Sequence, residues 1–222
     1  MSLEKWFKMD EDTAIIDANT RNEKIKNFFL KNKLKLIIFF SAIIIILITY
    51  FVFKEITKNS KIKISEDFNY FVSKHEQGKS EESLNGLIKI INEKDPTYSP
   101  LSLYFLLDND LITDIAEINN FFDILIDETS LENEIKNLII YKKGLFNADS
   151  SDEVFLLEIL KPVINSDSIW KSHCLYLIAE FFYSKNEKQK SKDFYQSIVS
   201  LDNANPDIKI KAQKRLNRDI SD

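Results

Sequence analysis

From Leu36 to Phe53 the chain runs eighteen residues without a charge, LIIFFSAIIIILITYFVF. Fourteen of the eighteen are Ile, Leu, Phe or Val. At roughly −0.3 to −0.6 kcal/mol each near the bilayer centre, such residues favour insertion by several kcal/mol. As a helix the run measures about 27 Å, close to the ~30 Å hydrocarbon core, and Leu34 and Lys35 extend it. A soluble helix this apolar needs burial on every side, and the rest of a 222-residue chain is too small to wrap it. The sequence therefore predicts a single membrane-spanning helix over residues 34–53.

The flanks define its type. A cleaved signal peptide has an apolar core of about 7–15 residues and a small-x-small cleavage site. Here the core is longer and is followed by Thr49, Tyr50, Phe51, Val52, Phe53 and Lys54, so an uncleaved signal-anchor is expected. No cysteine lies near it, which argues against a lipoprotein. Arg21, Lys24, Lys26, Lys31, Lys33 and Lys35 precede the span, and Lys54, Lys58, Lys61 and Lys63 follow it. The excess on the first side predicts a cytoplasmic N-terminal segment over residues 1–33. A juxtamembrane linker over 54–64 and an extracytoplasmic domain over 65–222 complete the expected organisation. In a double-membraned bacterium that domain lies in the periplasm.

From Lys54 onward there are 22 Lys and Arg against 29 Asp and Glu, a balance of −7. An acidic domain does not bind nucleic acid through its bulk charge. The single cysteine, Cys174, has no partner for an internal disulfide, so the core alone must stabilise the domain.

Beyond the span the pattern is helical. The chain has only three glycines, Gly78, Gly86 and Gly144, too few for a sheet protein with many tight turns. Apolar residues recur at spacings of three and four. Leu84, Leu87, Ile88 and Ile91 form one stripe, and Ile115, Ile118, Phe122 and Leu125 a second. Ile135, Leu138, Ile139 and Leu145 form a third, and Trp170, Cys174, Leu177, Ile178 and Phe181 a fourth. Breaks fall at 95–100, 109–110, 127–130, 147–151, 165–168 and 203–206, giving about eight helices of about 12–20 residues. Ser130 and Ser168 are expected N-caps, and Pro162 should kink or end its helix.

Paired helices at this repeat length predict an all-α fold, a tetratricopeptide-like helical-repeat solenoid following the anchor. Ala179, Phe182, Asn186, Ser191, Tyr195 and Ile198 follow the small–aromatic–turn–small–aromatic–packing order of that repeat. Gly78, Ser83, Leu87, Ile90 and Pro96 give the turn and second helix of a first pair. Small residues at 83 and 191 let two helices approach closely. In the middle repeats only Gly144 plays that part.

A charged N-terminal stretch reading EKIKNFFLKNKLK, one span and a compact helical-repeat domain together resemble the ancillary SecYEG translocon subunit family (YfgM-like). The most specific pieces are Phe28-Phe29 with Asn32, the segment Thr97-Tyr98 to Leu107, and Ser168 to Val199 with its Trp170. The resemblance implies an inner-membrane protein facing the periplasm, working beside the Sec translocon with a membrane-anchored periplasmic chaperone on exported proteins. This chain is Phe- and Ile-rich where that family is usually Ala-rich.

No phosphate-binding glycine motif occurs, and neither His75 nor His173 stands at metal-ligand spacing from a second ligand. His173 and Cys174 are adjacent on a helix and point about 100° apart, so they do not form a thiol–imidazole pair. Cys174 lies on an apolar stripe and reads as buried. Glu66-Asp67 and Glu81-Glu82 read as solvated helix starts, and Phe121-Phe122 and Phe181-Phe182 as core. No catalytic, cofactor-binding or metal-binding residue is assigned, and the partner-binding surface is left open. The function expected is a non-enzymatic, membrane-anchored interaction module of the Sec translocon. The alternative is a cell-envelope or division scaffold.

Overall fold

The computed structural model describes residues 3–219, so the outermost positions of the expected boundaries, 1–2 and 220–222, lie outside it. Among the described residues there are nine α-helices and no strand. They are α1 (Leu3–Glu76), α2 (Ser80–Asn92), α3 (Tyr98–Asp108), α4 (Ile115–Asp123), α5 (Asn133–Asn147), α6 (Glu153–Ile164), α7 (Lys171–Ser184), α8 (Lys188–Ser200) and α9 (Pro206–Asp219). A π-helical turn, Ile124–Glu128, continues α4. The chain divides into two compact units, residues 1–62 and 63–222.

The first unit is α1 up to Ile62. It holds the one described segment that is long and apolar enough to cross a membrane, with a mean hydropathy of 3.0 and none of that window buried by protein. Its hydroxyls turn back onto their own helix. Ser41 Oγ donates to the Ile38 carbonyl at 2.9 Å, and Thr49 Oγ1 to the Ile45 carbonyl at 2.8 Å. Each is thereby satisfied without water, as hydrocarbon surroundings require. Residues 54–62 are helical as well.

The second unit begins with the last turns of α1. Ile64 is buried, and Phe68 and Phe71 pack against the core formed by α2 and α3. Gly86 of α2 sits where any Cβ would lie 2.2 Å from the Phe71 ring, so only glycine allows these helices to meet so closely. Along α7 and α8 the small residue is Ser191, fully buried, whose Oγ donates to the Ala179 carbonyl at 2.9 Å. Ser83, the expected equivalent in α2, is also fully buried.

Two helical hairpins share one turn geometry. Gly78 and Asn186 adopt positive φ, +80° and +63°. The Gly78 and Lys79 amides donate to the His75 and Lys74 carbonyls, and the Asn186 and Glu187 amides to those of Tyr183 and Phe182. This pattern closes a helix on a left-handed residue and satisfies its last carbonyls. Counting on from each turn residue, Ser83, Leu87 and Ile90 match Ser191, Tyr195 and Ile198 in spacing, and every one is buried.

The core is one apolar seam in three sections. The first joins α1 through α5, the second α5 through α8, and the third α7 through α9. Several local expectations need correcting. Ile115, Ile135 and Leu145 belong to the apolar stripes by spacing but are exposed. Ser130 does not cap α5. The π turn uses up the residues before it, Leu131 N donates to the Thr129 carbonyl, and the N-cap is Glu132. Ser168 lies two residues before the N-cap of α7, which is Trp170, although its Oγ still accepts from the Trp170 amide at 3.1 Å. Side-chain N-caps are instead supplied by Asp114 on α4, Asp152 on α6 and Asn205 on α9. Pro162 does lie where α6 ends, as expected: the helix stops two residues later at Ile164. The helices of this unit from α2 to α9 run from 9 residues in α4 to 15 in α5, so only α3, with 11, and α4 fall short of the expected range.

Candidate functional site

The residues with recognisable chemistry fall into separate places. His75 lies against the Phe105 ring at 5.5 Å, with its Nδ1 3.3 Å from Ser80 Oγ. Cys174 is fully buried, and burial pushes its thiol up to about 12. Glu82 accepts from Tyr70 at 3.0 Å and pairs with Lys74 at 3.4 Å on the surface. Phe121, Phe122, Phe181 and Phe182 are all buried in the core. No group of three or more His, Cys, Asp and Glu is placed to hold a metal among the described residues.

What the fold does assemble is an aromatic row across α5 and α7. The rings of Tyr141 and Trp170 stack, with centroids 5.9 Å apart and planes inclined by 17°. The His173 ring lies 5.0 Å from Trp170 and 5.7 Å from Tyr141. All three side chains are only partly buried. Trp170 is therefore not a plain core residue. It occupies the N-cap position of α7, next to the exposed Ile169. Ser168 holds the two helices in register by donating to Glu134 of α5 at 2.8 Å. Burial lowers the affinity of His173 for a proton. The Ile169 carbonyl opposes this, and the charge of Lys211 on α9 adds to it. The imidazole is thus held neutral near pH 7.

Beside this row, Glu180 of α7 fastens α8 and α9. It accepts from Tyr195 at 2.5 Å and, bidentately, from Arg215 at 2.8 and 2.5 Å. Arg215 also covers the Tyr183 ring at 4.9 Å. Burial alone would raise the Glu180 carboxyl, but the hydrogen bonds from Tyr195, Arg215 and Tyr176 outweigh it and hold the carboxyl below its ordinary value. A lowered carboxyl contributes its stability above the unfolded value of about 4.3 and loses it as pH falls through the folded one. Glu180→Gln keeps the shape and removes the charge. It is expected to cost about 2–3 kcal/mol in chemical denaturation at pH 7 and far less at pH 3. A loss of the same size at both values would count against the ion pair.

No family model, curated protein or solved structure matches the chain. The residues that build the row and its fastening therefore have to be read from their own chemistry. Of these, Ser168, Trp170, His173 and Tyr195 stood out in the sequence. Tyr141 lies beside the apolar positions of α5, and Glu180 and Arg215 are 35 residues apart, so no local spacing connects them.

A second missed feature pins α4 to α5. Lys143, almost wholly buried, pairs with Asp123 at 2.5 Å, and Asn147 exchanges amide hydrogen bonds with Asn119 at 2.8 and 3.0 Å. These groups satisfy one another and hold the hairpin. They do not open onto a ligand site.

Proposed function

We propose that the chain is a non-enzymatic, membrane-anchored interaction module with a tetratricopeptide-like helical-repeat domain, and that it presents the aromatic row of α5 and α7 to a protein partner. The observation that carries this reading is the stacked Tyr141–Trp170 pair, left partly exposed to solvent with the exposed Ile169 next to Trp170. Partly exposed Trp and Tyr on a rigid helical frame are the residue types that dominate binding energy at protein interfaces. The repeat reading is supported by the two hairpins that share turn, spacing and burial, from Gly78 to Ile90 and from Asn186 to Ile198.

The finer reading is an accessory of the Sec translocon. The chain is anchored once in a bacterial inner membrane with its N-terminus in the cytoplasm, and its domain acts in the periplasm beside a membrane-anchored chaperone and exported clients. Its support is the likeness in organisation and in the segments around Phe28-Phe29, Thr97 to Leu107 and Ser168 to Val199. Anchoring raises the effective concentration of a modest binding surface near a membrane partner without adding any contact.

The test is purification of the full-length protein in mild detergent, followed by mass spectrometry of what accompanies it. Sec or chaperone components should co-purify, and Trp170→Ala should lower their recovery at least fivefold while leaving the helical circular dichroism intact. Recovery unchanged by Trp170→Ala removes the aromatic row as the interface. Recovery of cell-division or envelope proteins in place of Sec components moves the assignment to the scaffold alternative.

A further inference from the structure

One face of α1 is hollow where the basic flank meets the span. Leu30, Lys33, Ile37, Phe40, Ser41 and Ile44 line a trough of about 650 Å³. Their spacings of three and four place them along one side of the helix. Ser41 makes the hollow, because its short side chain sits among large neighbours. Its hydroxyl is engaged by the Ile38 carbonyl, so the floor offers no spare donor. From Lys33 to Ile44 the trough extends about 17 Å along the axis, close to the depth of one leaflet of a ~30 Å core.

The mouth is cationic. Lys33 is exposed, as are Lys24, Lys26, Lys31 and Lys35, and none of the five has a carboxylate partner. Between residues 22 and 53 the only acidic residue is Glu23. An open apolar trough about as long as one leaflet is thick, with an unpaired cation at its interfacial end, matches an amphiphile with an anionic head and a long acyl chain. A second copy of the same helix fits less well. In a parallel pair it would bring Lys33 against Lys33, and like charges brought together at a weakly hydrated interface repel.

We propose that this trough binds one anionic phospholipid, its phosphate on Lys33 and one acyl chain along Ile37, Phe40, Ser41 and Ile44. The site rests on the reading of residues 34–53 as a membrane span. Lys33 can extend its alkyl stem along the trough and keep its ammonium at the headgroup level. The neighbouring lysines attract anionic headgroups generally, whereas Lys33 alone among them lines the trough.

The full-length protein would be reconstituted into vesicles of equal phosphatidylglycerol and phosphatidylcholine. It would then be washed with carbonate, extracted in mild detergent and weighed by native mass spectrometry. Phosphatidylglycerol should be retained over phosphatidylcholine by more than fivefold. K33Q should lower that preference about fivefold, the effect of one lysine at a headgroup surface. S41F, which fills the floor, should lower retention of both lipids, and K58Q on the opposite flank should change nothing. Equal retention of the two lipids, a preference that K33Q leaves unchanged, or a lipid-free dimer from carbonate-resistant protein would overturn the lipid site and leave the span standing. Release of the protein by carbonate would overturn the span itself, and the site with it.

Discussion

Replacing Tyr195 with Ala is expected to remove about 3–5 kcal/mol of stability, a large fraction of the roughly 5–15 kcal/mol that holds a domain folded. Tyr195 is fully buried where α8 meets α7, and its ring lies 5.6 Å from that of Tyr176. Truncation opens a cavity the size of an aromatic ring beneath the third section of the core. It also takes a hydrogen bond from Glu180, leaving that carboxylate to Arg215 and Tyr176. Tyr195→Phe separates the two losses. It keeps the ring and deletes only the hydroxyl, so a loss of about 1–2 kcal/mol is expected. Chemical denaturation of the full chain in mild detergent, followed by circular dichroism, measures both. Two variants that destabilise equally would show that the hydroxyl, and not the packing, holds this hairpin.

An arginine at position 45 should have the second-largest effect. Ile45 lies near the middle of the charge-free run and is exposed to whatever surrounds the helix. An arginine at the centre of a span costs roughly 3 kcal/mol on the insertion scale, more than a hundredfold in the partition between membrane and water. The variant should shift measurably from the carbonate-resistant membrane fraction to the soluble one, while Ile45→Leu stays where the parent is. Wild-type protein found wholly in the soluble fraction would refute the span. Unchanged fractionation of the arginine variant would mean that other parts of the chain hold it at the membrane.

Reading the sequence located the helices well because their ends are written locally. Positions such as Gly78, Asn109-Asp110 and Asn186 end helices through their own backbone preferences, and a neighbour a few residues away is enough to see it. The run from Leu36 to Phe53 is local in the same sense. The failures are tertiary. Ile115, Ile135 and Leu145 continue their stripes by spacing, but α4 and α5 bury narrower faces than their patterns allow, because only packing decides which stripe residues are covered. The π turn after α4 displaced the start of α5 and with it the role expected of Ser130. The aromatic row was half visible, since Trp170 stood out at the head of the fourth apolar stripe. Its partner Tyr141 is about 30 positions away and is brought to it only by packing. The Glu180–Arg215 fastening and the Lys143–Asp123 pin were hidden for the same reason. In a lysine- and glutamate-rich chain any acid could pair with any base, and only the fold chooses.

The division of the core into three successive sections bears on how the chain acquires its structure. Each section draws on helices that are close in sequence, so few contacts must wait for a distant part of the chain. Low sequence separation between contacting groups favours rapid folding, because little loop-closure entropy is lost before contacts form. The section from α1 to α5 contains everything it needs once Asn147 has emerged, and it can close while α7, α8 and α9 are still being made. The domain is thus suited to vectorial folding. Each new hairpin docks on a surface already in place, and the α9 helix, which closes the last section, is the final piece to dock.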